Sequence, residues 1–266
     1  MTENFGIKRG YCSRPAPDYY SDTSRPGAGE IIWQPEVYEV AARMARTLGR
    51  RHILDIGCGS GEKLAALYPE FQIIGVDFGG NLEHCREKYP FGQWLVADFE
   101  KAENLPLDEV ILKDCVVICS DVIEHLVDPR SLLRLIACLL KHAPLALIST
   151  PERNLKEKGW LDNGPPLNPH HVREWSLNEL SSFAESMGLS LAYAGLTITN
   201  NLRWQRSTIL LGAKGATWPA TNAAQNCFPP SVSPALYWFR VARKAFGEWR
   251  ASLRSGLKSS SSAGAA

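Results

Sequence analysis

Long apolar runs are missing from this sequence. No stretch of about 18 apolar residues occurs, and residues 1–20 have no apolar core of signal-peptide length, so we predict neither a membrane-spanning helix nor a secretory signal. An excess of one charge is also missing, since 29 lysines and arginines oppose 28 aspartates and glutamates. A nearly neutral chain has no overall field that would attract nucleic acid. We therefore expect a cytoplasmic protein without a nucleic-acid partner.

Paired cysteines are missing as well. The seven cysteines are an odd number without a Cys-x-x-Cys pair, and most stand in apolar segments such as DCVVICSD at 114–121. They are predicted to be reduced core residues rather than disulfides or zinc ligands. The spacings His-x-x-x-His and Asp-x-Asp are absent too, so no metal site is predicted from the sequence.

The middle of the chain alternates between short apolar strands and amphipathic helices. A helix is predicted over 34–48, and it is followed by strands at 53–56, 72–77, 94–97, 116–120 and 145–149 with helices between them. This alternation predicts an α/β fold with a mostly parallel sheet and helices on both faces. A Pro/Asn/His-rich insertion at 151–175 follows, then a capping box of Ser176 and Glu179 that begins a helix. Two β-rich segments, 189–199 and 204–211, are predicted to close the sheet as an antiparallel hairpin.

The first strand runs into a glycine cluster, HILDIGCGSGEK at 52–63. The dinucleotide fingerprint Gly-x-Gly-x-x-Gly fails, because Glu62 stands at its third glycine and the available match is Gly57-x-Gly59-x-Gly61. Carboxylates follow four strands, and in an open α/β sheet such strand ends face one crevice. Negative groups there disfavour a pyrophosphate and suit a nucleoside with an ammonium and a sulfonium, which indicates S-adenosylmethionine. These carboxylates are Asp55, Asp77, Asp98 and Asp121.

Four motifs in this order, LDIGCGSG, GVD, ADFE and SDVIEHL, resemble class I S-adenosylmethionine-dependent methyltransferases. A fifth segment, HVREWSLNEL, resembles one that precedes a helix in a branch of that family. The similarity is closest to their ubiquinone-biosynthesis-like small-molecule branch, and it covers about 34–213. It implies a Rossmann-like, seven-stranded, mostly parallel sheet with one reversed strand. The residues it assigns to the cofactor are Asp55, Gly57, Cys58, Gly59, Gly61, Asp77, Phe78, Asp98, Phe99 and Ser120.

The resemblance also assigns parts of the cofactor to these residues. Asp55 and the glycines would surround the methionine moiety, and Asp77 would accept hydrogen bonds from both ribose hydroxyls. Asp98 with Phe99 would face the adenine, and the backbone of Ser120 would lie near the sulfonium. Two alternatives remain: Asp77 as a cap of the next helix, and Asp98 as an ordinary loop carboxylate.

Three histidines are candidates for catalysis. His125 follows the fourth strand, near the expected reaction centre, and a histidine is the usual general base for a hydroxyl acceptor. His170 and His171 lie in the insertion, which would form part of the acceptor wall. The alternatives are a packed histidine at 125 and a backbone-bonded loop pair at 170 and 171.

The acceptor is expected to be a small molecule, a hydroxyl of a sugar, glycan or lipid precursor. SDVIEHL stands where base-amine methyltransferases carry Asp/Asn-Pro-Pro-Tyr/Phe, which argues against DNA bases. A second hypothesis is a methyltransferase-like protein that binds the cofactor without turnover and acts through its C-terminal helix.

The ends of the chain are predicted to lie outside the methyltransferase domain, 34–213. Residues 1–33 form an N-terminal arm or a lid with Tyr11, Arg14, Tyr19 and Trp33. Residues 214–234 are a linker, 235–258 a basic amphipathic helix, and 259–266 a disordered tail. The helix suits a peripheral membrane contact or a partner, or it packs on its own domain.

Overall fold

Seven strands form a single sheet in the order β3-β2-β1-β4-β5-β7-β6. The structure, a computed structural model, describes residues 4–17, 35–155, 163–197 and 208–229. All of these fall in the first of the two compact units of the chain, Met1–Pro230. Neighbouring strands from β3 to β5 are parallel, whereas β7 runs antiparallel to both β5 and β6. This confirms the predicted mostly parallel sheet and its antiparallel closing hairpin.

The predicted elements are found with small shifts in their ends. The strands are β1 His52–Ile56, β2 Gln72–Asp77, β3 Gln93–Val96, β4 Cys115–Ser120, β5 Leu145–Pro151, β6 Ser190–Thr197 and β7 Thr208–Lys214. The helices are α1 Pro35–Leu48, α2 Glu62–Ala65, α3 Asn81–Lys88, α4 Glu109–Lys113, α5 Arg130–Leu139, α6 Leu177–Ser186 and α7 Asn222–Gln225. Short 3₁₀ turns span Ile123–His125 and Arg153–Leu155.

The central strands are covered on both faces. Successive strand residues point to opposite sides of a sheet, and along β1 both Ile53 and Leu54 are fully buried. Ile53 belongs to a core cluster that it shares with Val37 and Met44 of α1. Continuous apolar strands such as β4 are what a doubly covered parallel sheet requires.

The strand order changes direction between β1 and β4, which makes this the topological switch point of the sheet. From β1 it adds β2 and β3 on one side, and then crosses over to add β4 and β5 on the other. In open α/β sheets, the crevice at the carboxyl ends of two such strands is where ligands bind. The topology therefore places the candidate site beside Ile56 and Ser120.

One sequence-based prediction needs correction. The segment after β7 was predicted to be a linker from 214, but its described part, 215–229, packs on the domain. Cys227 and Phe228 are buried in the core cluster, and the Phe228 ring stacks on Tyr193 at 4.7 Å between centroids. The chain stays on the sheet here because these apolar side chains have a surface to cover.

Other predictions fall on residues that the structure does not describe. These are the helix at 235–258, the tail at 259–266, the rest of the linker, and Tyr19 and Trp33 of the N-terminal segment. Within the described ranges, no helix has the length and apolarity needed to cross a bilayer. All seven cysteines are free thiols, and five of them are buried as predicted, whereas Cys138 is half-buried and Cys12 is exposed.

Candidate functional site

The loops that follow β1 and β4 contact each other at the switch point. Gly57 has φ +80°, a left-handed conformation that favours glycine. A Cβ atom at Gly57 would overlap a methyl group of Val122, which follows β4. Two observations therefore favour glycine at position 57: its positive φ, and the close approach of the two loops, which leaves no room for a Cβ atom. Gly59 and Gly61 also have positive φ, +55° and +72°.

Asp77, at the end of β2, is held against the glycine loop. Its Oδ2 accepts a hydrogen bond from the Gly59 amide at 2.7 Å, and its Oδ1 accepts one from the Phe78 amide at 2.7 Å. The N-terminus of α3 is Gly80 without a side-chain cap. Asp77 therefore does not cap that helix, which removes the alternative to a ligand-facing role. A carboxylate oxygen accepts more than one hydrogen bond, so the orientation leaves Asp77 able to bind hydroxyls.

Asp55 is a fully buried carboxylate in β1. Its Oδ2 accepts a hydrogen bond from the Tyr38 hydroxyl at 2.7 Å, whereas its Oδ1 has no partner among the described residues. Burial raises the pKa of Asp55 to about 6, although the hydrogen bond from Tyr38 and the charge of Lys63 act in the opposite direction. A buried oxygen without a donor is costly, and a ligand with a cationic or N–H group would satisfy it.

The other predicted cofactor residues differ in how far their side chains are exposed to the crevice. Cys58 is buried in the core cluster, with its sulfur directed toward Gly75, so its thiol does not line the crevice and only its backbone could contact the cofactor. Phe78 is 56% exposed at the end of β2, and Phe99 is buried. The Ser120 hydroxyl accepts a hydrogen bond from the Ser149 hydroxyl at 2.9 Å.

Asp98, another predicted cofactor residue, makes its hydrogen bonds within its own turn. Its carboxylate binds Lys101 Nζ at 2.7 Å and accepts a hydrogen bond from the Glu100 amide at 3.0 Å. The Lys101 ammonium lowers the pKa of Asp98. These contacts are those of a turn carboxylate, so its role toward adenine stays a prediction.

The crevice fits S-adenosylmethionine on the observations above. The unpartnered Asp55 Oδ1 calls for a donor, and the α-amino group of S-adenosylmethionine is one. Asp77 is fixed by two amides at the position that would accept ribose hydroxyls. The glycine loop keeps side chains away from the space between them. A ligand with both an ammonium and a ribose matches this set of groups.

Two of the three candidate catalytic histidines come together beyond β4. The rings of His125 and His171 lie edge to face, with 4.9 Å between centroids. His125 Nδ1 is 2.9 Å from the carbonyl oxygen of His170, and a carbonyl only accepts, so Nδ1 carries the proton. His170 thus contributes its backbone to the group. Burial lowers the pKa of His125 to about 4, so its ring is neutral at pH 7 and is a weak general base.

Glu124 completes this group and was not singled out by the sequence. Its side chain is fully buried, with Oε2 accepting a hydrogen bond from Thr150 Oγ1 at 2.8 Å and Oε1 without a partner among the described residues. Burial raises the pKa of Glu124, against the effect of nearby His171. One ligand atom each from Glu124, His125 and His171 lies within 4.8 Å of the others. Local spacing could not reveal this group, because His171 is remote in sequence from the other two.

The insertion and the N-terminal segment are joined by Arg173. Its guanidinium donates hydrogen bonds to the carbonyls of Leu126 and Val127, both at 2.7 Å. The same group lies over the Phe5 ring, 4.4 Å from its centroid. Burial of Arg173 therefore ties residues 4–17 and the insertion to the loop that carries His125.

The N-terminal segment makes further hydrogen bonds to the insertion. The Tyr11 hydroxyl accepts one from the Glu174 amide at 3.0 Å, and Arg14 donates to the Pro166 carbonyl at 2.8 Å. Trp175 Nε1 donates to the Phe5 carbonyl at 2.9 Å. The described part of the segment forms a wall with the insertion. A role as a lid over the cofactor stays a prediction.

Comparisons with known proteins agree on one family. The model of the family described as "Methyltransferase domain" matches residues 33–194. A Mycobacterium tuberculosis protein named "Probable S-adenosylmethionine-dependent methyltransferase" is 31% identical over 208 residues, which cover 73% of each chain. A ubiquinone biosynthesis O-methyltransferase of Coxiella burnetii is 28% identical over 158 residues, 54% of this chain and 66% of that one. A solved structure, the methyltransferase domain of bacterial CtHen1, covers 68% of this chain at 20% identity with a TM-score of 0.49.

Proposed function

Because the chain belongs to the class I S-adenosylmethionine-dependent methyltransferases, we propose that it methylates a hydroxyl oxygen of a small molecule. The observation that carries the proposal is the buried group of Glu124, His125 and His171 beside the cofactor crevice. A hydroxyl must lose its proton when it is methylated, whereas a thiolate or a neutral amine can attack directly. A buried set of a carboxylate and two imidazoles suits an acceptor that needs this help.

The cofactor would be held by three elements of the sheet. Asp55 would face the ammonium, Asp77 the ribose, and the glycine loop would lie along the methionine chain. When bound, S-adenosylmethionine supplies a methyl group on a positively charged sulfur, which is already reactive. The protein must then hold the acceptor in line with that methyl group, and positioning of this kind supplies up to about 7–11 kcal/mol.

The acceptor would lie between the crevice and the wall formed by the insertion and residues 4–17. Val122, which touches the glycine loop, is followed within three residues by Glu124 and His125. This continuity supports an acceptor pocket directly next to the methyl group. Both histidines and Glu124 are half-buried or buried, so little water would reach the reacting atoms.

His125 is proposed to contact the acceptor oxygen, with its neutral Nε2 facing the hydroxyl. Its low pKa makes it a weak base by itself, so activation is expected to need the whole group. His171 is proposed as the second member, while His170 acts through its backbone carbonyl. The class of acceptor, a sugar, glycan or lipid precursor, is the proposal made from the sequence.

Transfer of a labelled methyl group tests the proposal. A panel of phenols, sugars and lipid precursors is compared with analogues in which an amine or a thiol replaces the hydroxyl. We expect turnover with a hydroxyl acceptor, and we expect His125→Ala to lose it while calorimetry gives an unchanged Kd for S-adenosylmethionine.

His84→Ala is the matched control, since His84 is exposed on α3 and its loss should change neither quantity. Equal turnover by His125→Ala and the wild type would contradict the role of His125. Methylation of the amine analogues alone would contradict the choice of oxygen.

The basic segment 235–258 is a separate proposal, based on its sequence. A peripheral membrane contact would suit a lipid-linked acceptor. Co-sedimentation of the full chain with anionic liposomes, compared with a chain that ends at 230, tests it. Equal sedimentation of the two chains would argue against this contact.

A further inference from the structure

We propose that Tyr38 is a positioning residue for the cofactor: its hydroxyl keeps Asp55 ionised and oriented, so that the second carboxylate oxygen binds the ammonium of S-adenosylmethionine. This inference rests on the proposed contact between Asp55 and that ammonium. Tyr38 lies on α1, outside the glycine loop and the strand ends from which the cofactor residues were predicted. It acts through Asp55, and its role requires no contact of its own with the cofactor.

Tyr38 reaches Asp55 from the helix that packs on the first strand. α1 contacts β1, and both side chains are buried. The Tyr38 hydroxyl donates a hydrogen bond of 2.7 Å to Asp55 Oδ2. The backbone of Asp55 is fixed between Gly75 of β2 and Ile118 of β4. Because both the backbone and Oδ2 are held, the direction of Oδ1 is fixed as well.

The contact between Tyr38 and Asp55 is incomplete without a ligand. A buried tyrosine hydroxyl usually has a polar partner, and Asp55 Oδ2 provides one. Asp55 Oδ1, however, is buried without a hydrogen-bond partner among the described residues, and such an oxygen is costly. A pair of apolar side chains would fill the same space without burying a carboxylate. The geometry therefore suits a carboxylate that Tyr38 holds ready for a donor.

The Tyr38 hydroxyl acts as the donor in this hydrogen bond. Burial, and then the charge of Asp55, raise the pKa of Tyr38 well above its ordinary value, so the hydroxyl keeps its proton at neutral pH. A donated hydrogen bond favours the charged form of a carboxylate. That form attracts an ammonium by its charge, whereas a protonated carboxyl group does not.

Asp55 is close to losing its charge at neutral pH. Burial raises its pKa to about 6, and the hydrogen bond from Tyr38 is the largest effect that opposes this rise, followed by the charge of Lys63. The titratable groups around the pair are Cys58 of the glycine loop, Lys63 of α2, Asp77 of β2, Cys119 of β4 and Asp121 after β4. Asp77 acts in the same direction as burial. Loss of the Tyr38 hydroxyl should therefore leave much of Asp55 protonated at pH 7.

Lys63 supports the same arrangement from α2. Its ammonium lies 4.8 Å from the centroid of the Tyr38 ring, a distance at which a cation is attracted to the face of a ring. Its charge also lowers the pKa of Asp55. Because Lys63 is half-buried, its replacement spares the core and gives a second way to change the charge of Asp55.

The pH dependence of cofactor binding by the full chain tests the proposal. Kd values are measured for S-adenosylmethionine and for 5′-methylthioadenosine, which lacks the ammonium and the carboxylate. The range is about pH 5 to 7, in which the ammonium keeps its proton. In the wild type, the Kd for S-adenosylmethionine should rise as the pH falls through about 6, whereas the Kd for 5′-methylthioadenosine should stay constant.

Tyr38→Phe removes only the hydroxyl and should move this pH dependence upward. A hydrogen bond to a charged group is worth about one to two pKa units, so the variant should bind S-adenosylmethionine about two- to tenfold more weakly at about pH 7. Its Kd for 5′-methylthioadenosine should equal that of the wild type. Lys63→Gln should shift the pH dependence in the same direction.

Tyr193→Phe is the matched control. It also removes the hydroxyl of a buried tyrosine, but from β6 at the edge of the sheet, and it should change neither Kd. If the pH dependence of Tyr38→Phe coincides with that of the wild type, the role of Tyr38 is overturned, even when binding is weaker throughout. Equal weakening for both ligands also overturns it, because it indicates damage to the whole pocket.

Asp55→Asn separates this proposal from the one on which it rests. The variant should bind S-adenosylmethionine more weakly and lose the pH dependence near 6. A wild-type Kd for Asp55→Asn overturns the contact between Asp55 and the ammonium, and the role of Tyr38 with it. A weakened Kd for Asp55→Asn beside an unshifted Tyr38→Phe overturns the role of Tyr38 alone.

Discussion

The two sides of the crevice are built in different ways. On the cofactor side, Asp55, the glycine loop and Asp77 come from one continuous stretch of two strands and the loops that follow them. On the proposed acceptor side, the wall combines residues 4–17, the loop after β4, the end of β5 and the insertion, which are far apart in the chain. The first side depends on local backbone geometry, and the second depends on long-range hydrogen bonds.

This difference has a consequence for how each side responds to change. The cofactor side is attached to β1 and β2, which are buried from their second residue onward, so its shape follows from the sheet. The acceptor wall depends on single buried groups such as Arg173, which connects two segments to a third. A substitution on the cofactor side should therefore change binding, and one in the wall should change stability and acceptor use.

Arg173→Ala should have the largest effect and tests whether the wall is separable. It leaves two buried carbonyls without the donor that satisfied them, which we expect to cost about 4 kcal/mol of unfolding free energy at hydrogen-bond values for charged groups. Urea denaturation measures the loss. Calorimetry at low temperature, where the variant is folded, should give the wild-type Kd for S-adenosylmethionine, and a weakened Kd would show that the two sides are not independent.

Asp77→Ala should give the converse result. It removes the carboxylate that we propose accepts two hydrogen bonds from the ribose, so we expect a loss of about 3 kcal/mol, or roughly 100-fold in the Kd for S-adenosylmethionine. The matched control is Asp114→Ala, which removes a carboxylate bound to Arg51 at the opposite end of the sheet. Calorimetry measures the Kd for S-adenosylmethionine of both variants, and equal values would contradict the role proposed for Asp77.

Asp55→Asn should change the pH dependence of stability. The folded pKa of about 6 lies above the 3.8 of an ordinary aspartate, so the folded state binds the proton more tightly, and this contribution to stability is lost as pH rises through about 6. Relative to the wild type, the asparagine variant should gain about 2 kcal/mol between pH 4 and 7. Urea denaturation across that range measures the difference, and parallel curves would contradict the raised pKa.

Tyr11→Phe should have the smallest effect. It removes the hydroxyl that accepts a hydrogen bond from the Glu174 amide, a loss of about 1 kcal/mol. Thermal unfolding measures it, with Tyr89→Phe, at a half-buried site outside the wall, as the control. If Tyr11→Phe also raised the Kd for S-adenosylmethionine, the N-terminal segment would be a lid on the cofactor rather than part of the acceptor wall.

The fold was largely predictable because its signals are local. Apolar strands that alternate with helices indicated the sheet, and the capping box of Ser176 and Glu179 is present as predicted. The strand predicted at 204–211 is found at Thr208–Lys214. It continues beyond Leu211 because Gly212 leaves room for the Phe228 ring, a packing partner that local pattern does not reveal. The short helix α4 was not predicted.

The candidate site was predictable on one side only. Carboxylates at strand ends and a glycine loop have a fixed place in such a sheet, so the positions of Asp55 and Asp77 at the crevice could be predicted from the sequence. Glu124 was missed because its neighbours, Thr150 and His171, belong to other segments.

The position of the N-terminal segment has a practical consequence for handling the protein. Residues 4–17 are bonded to the insertion, and Phe5 lies on Arg173. A purification tag fused at this end would therefore emerge next to the acceptor wall. A preparation tagged there could bind the cofactor normally and still be screened against acceptors that it cannot admit.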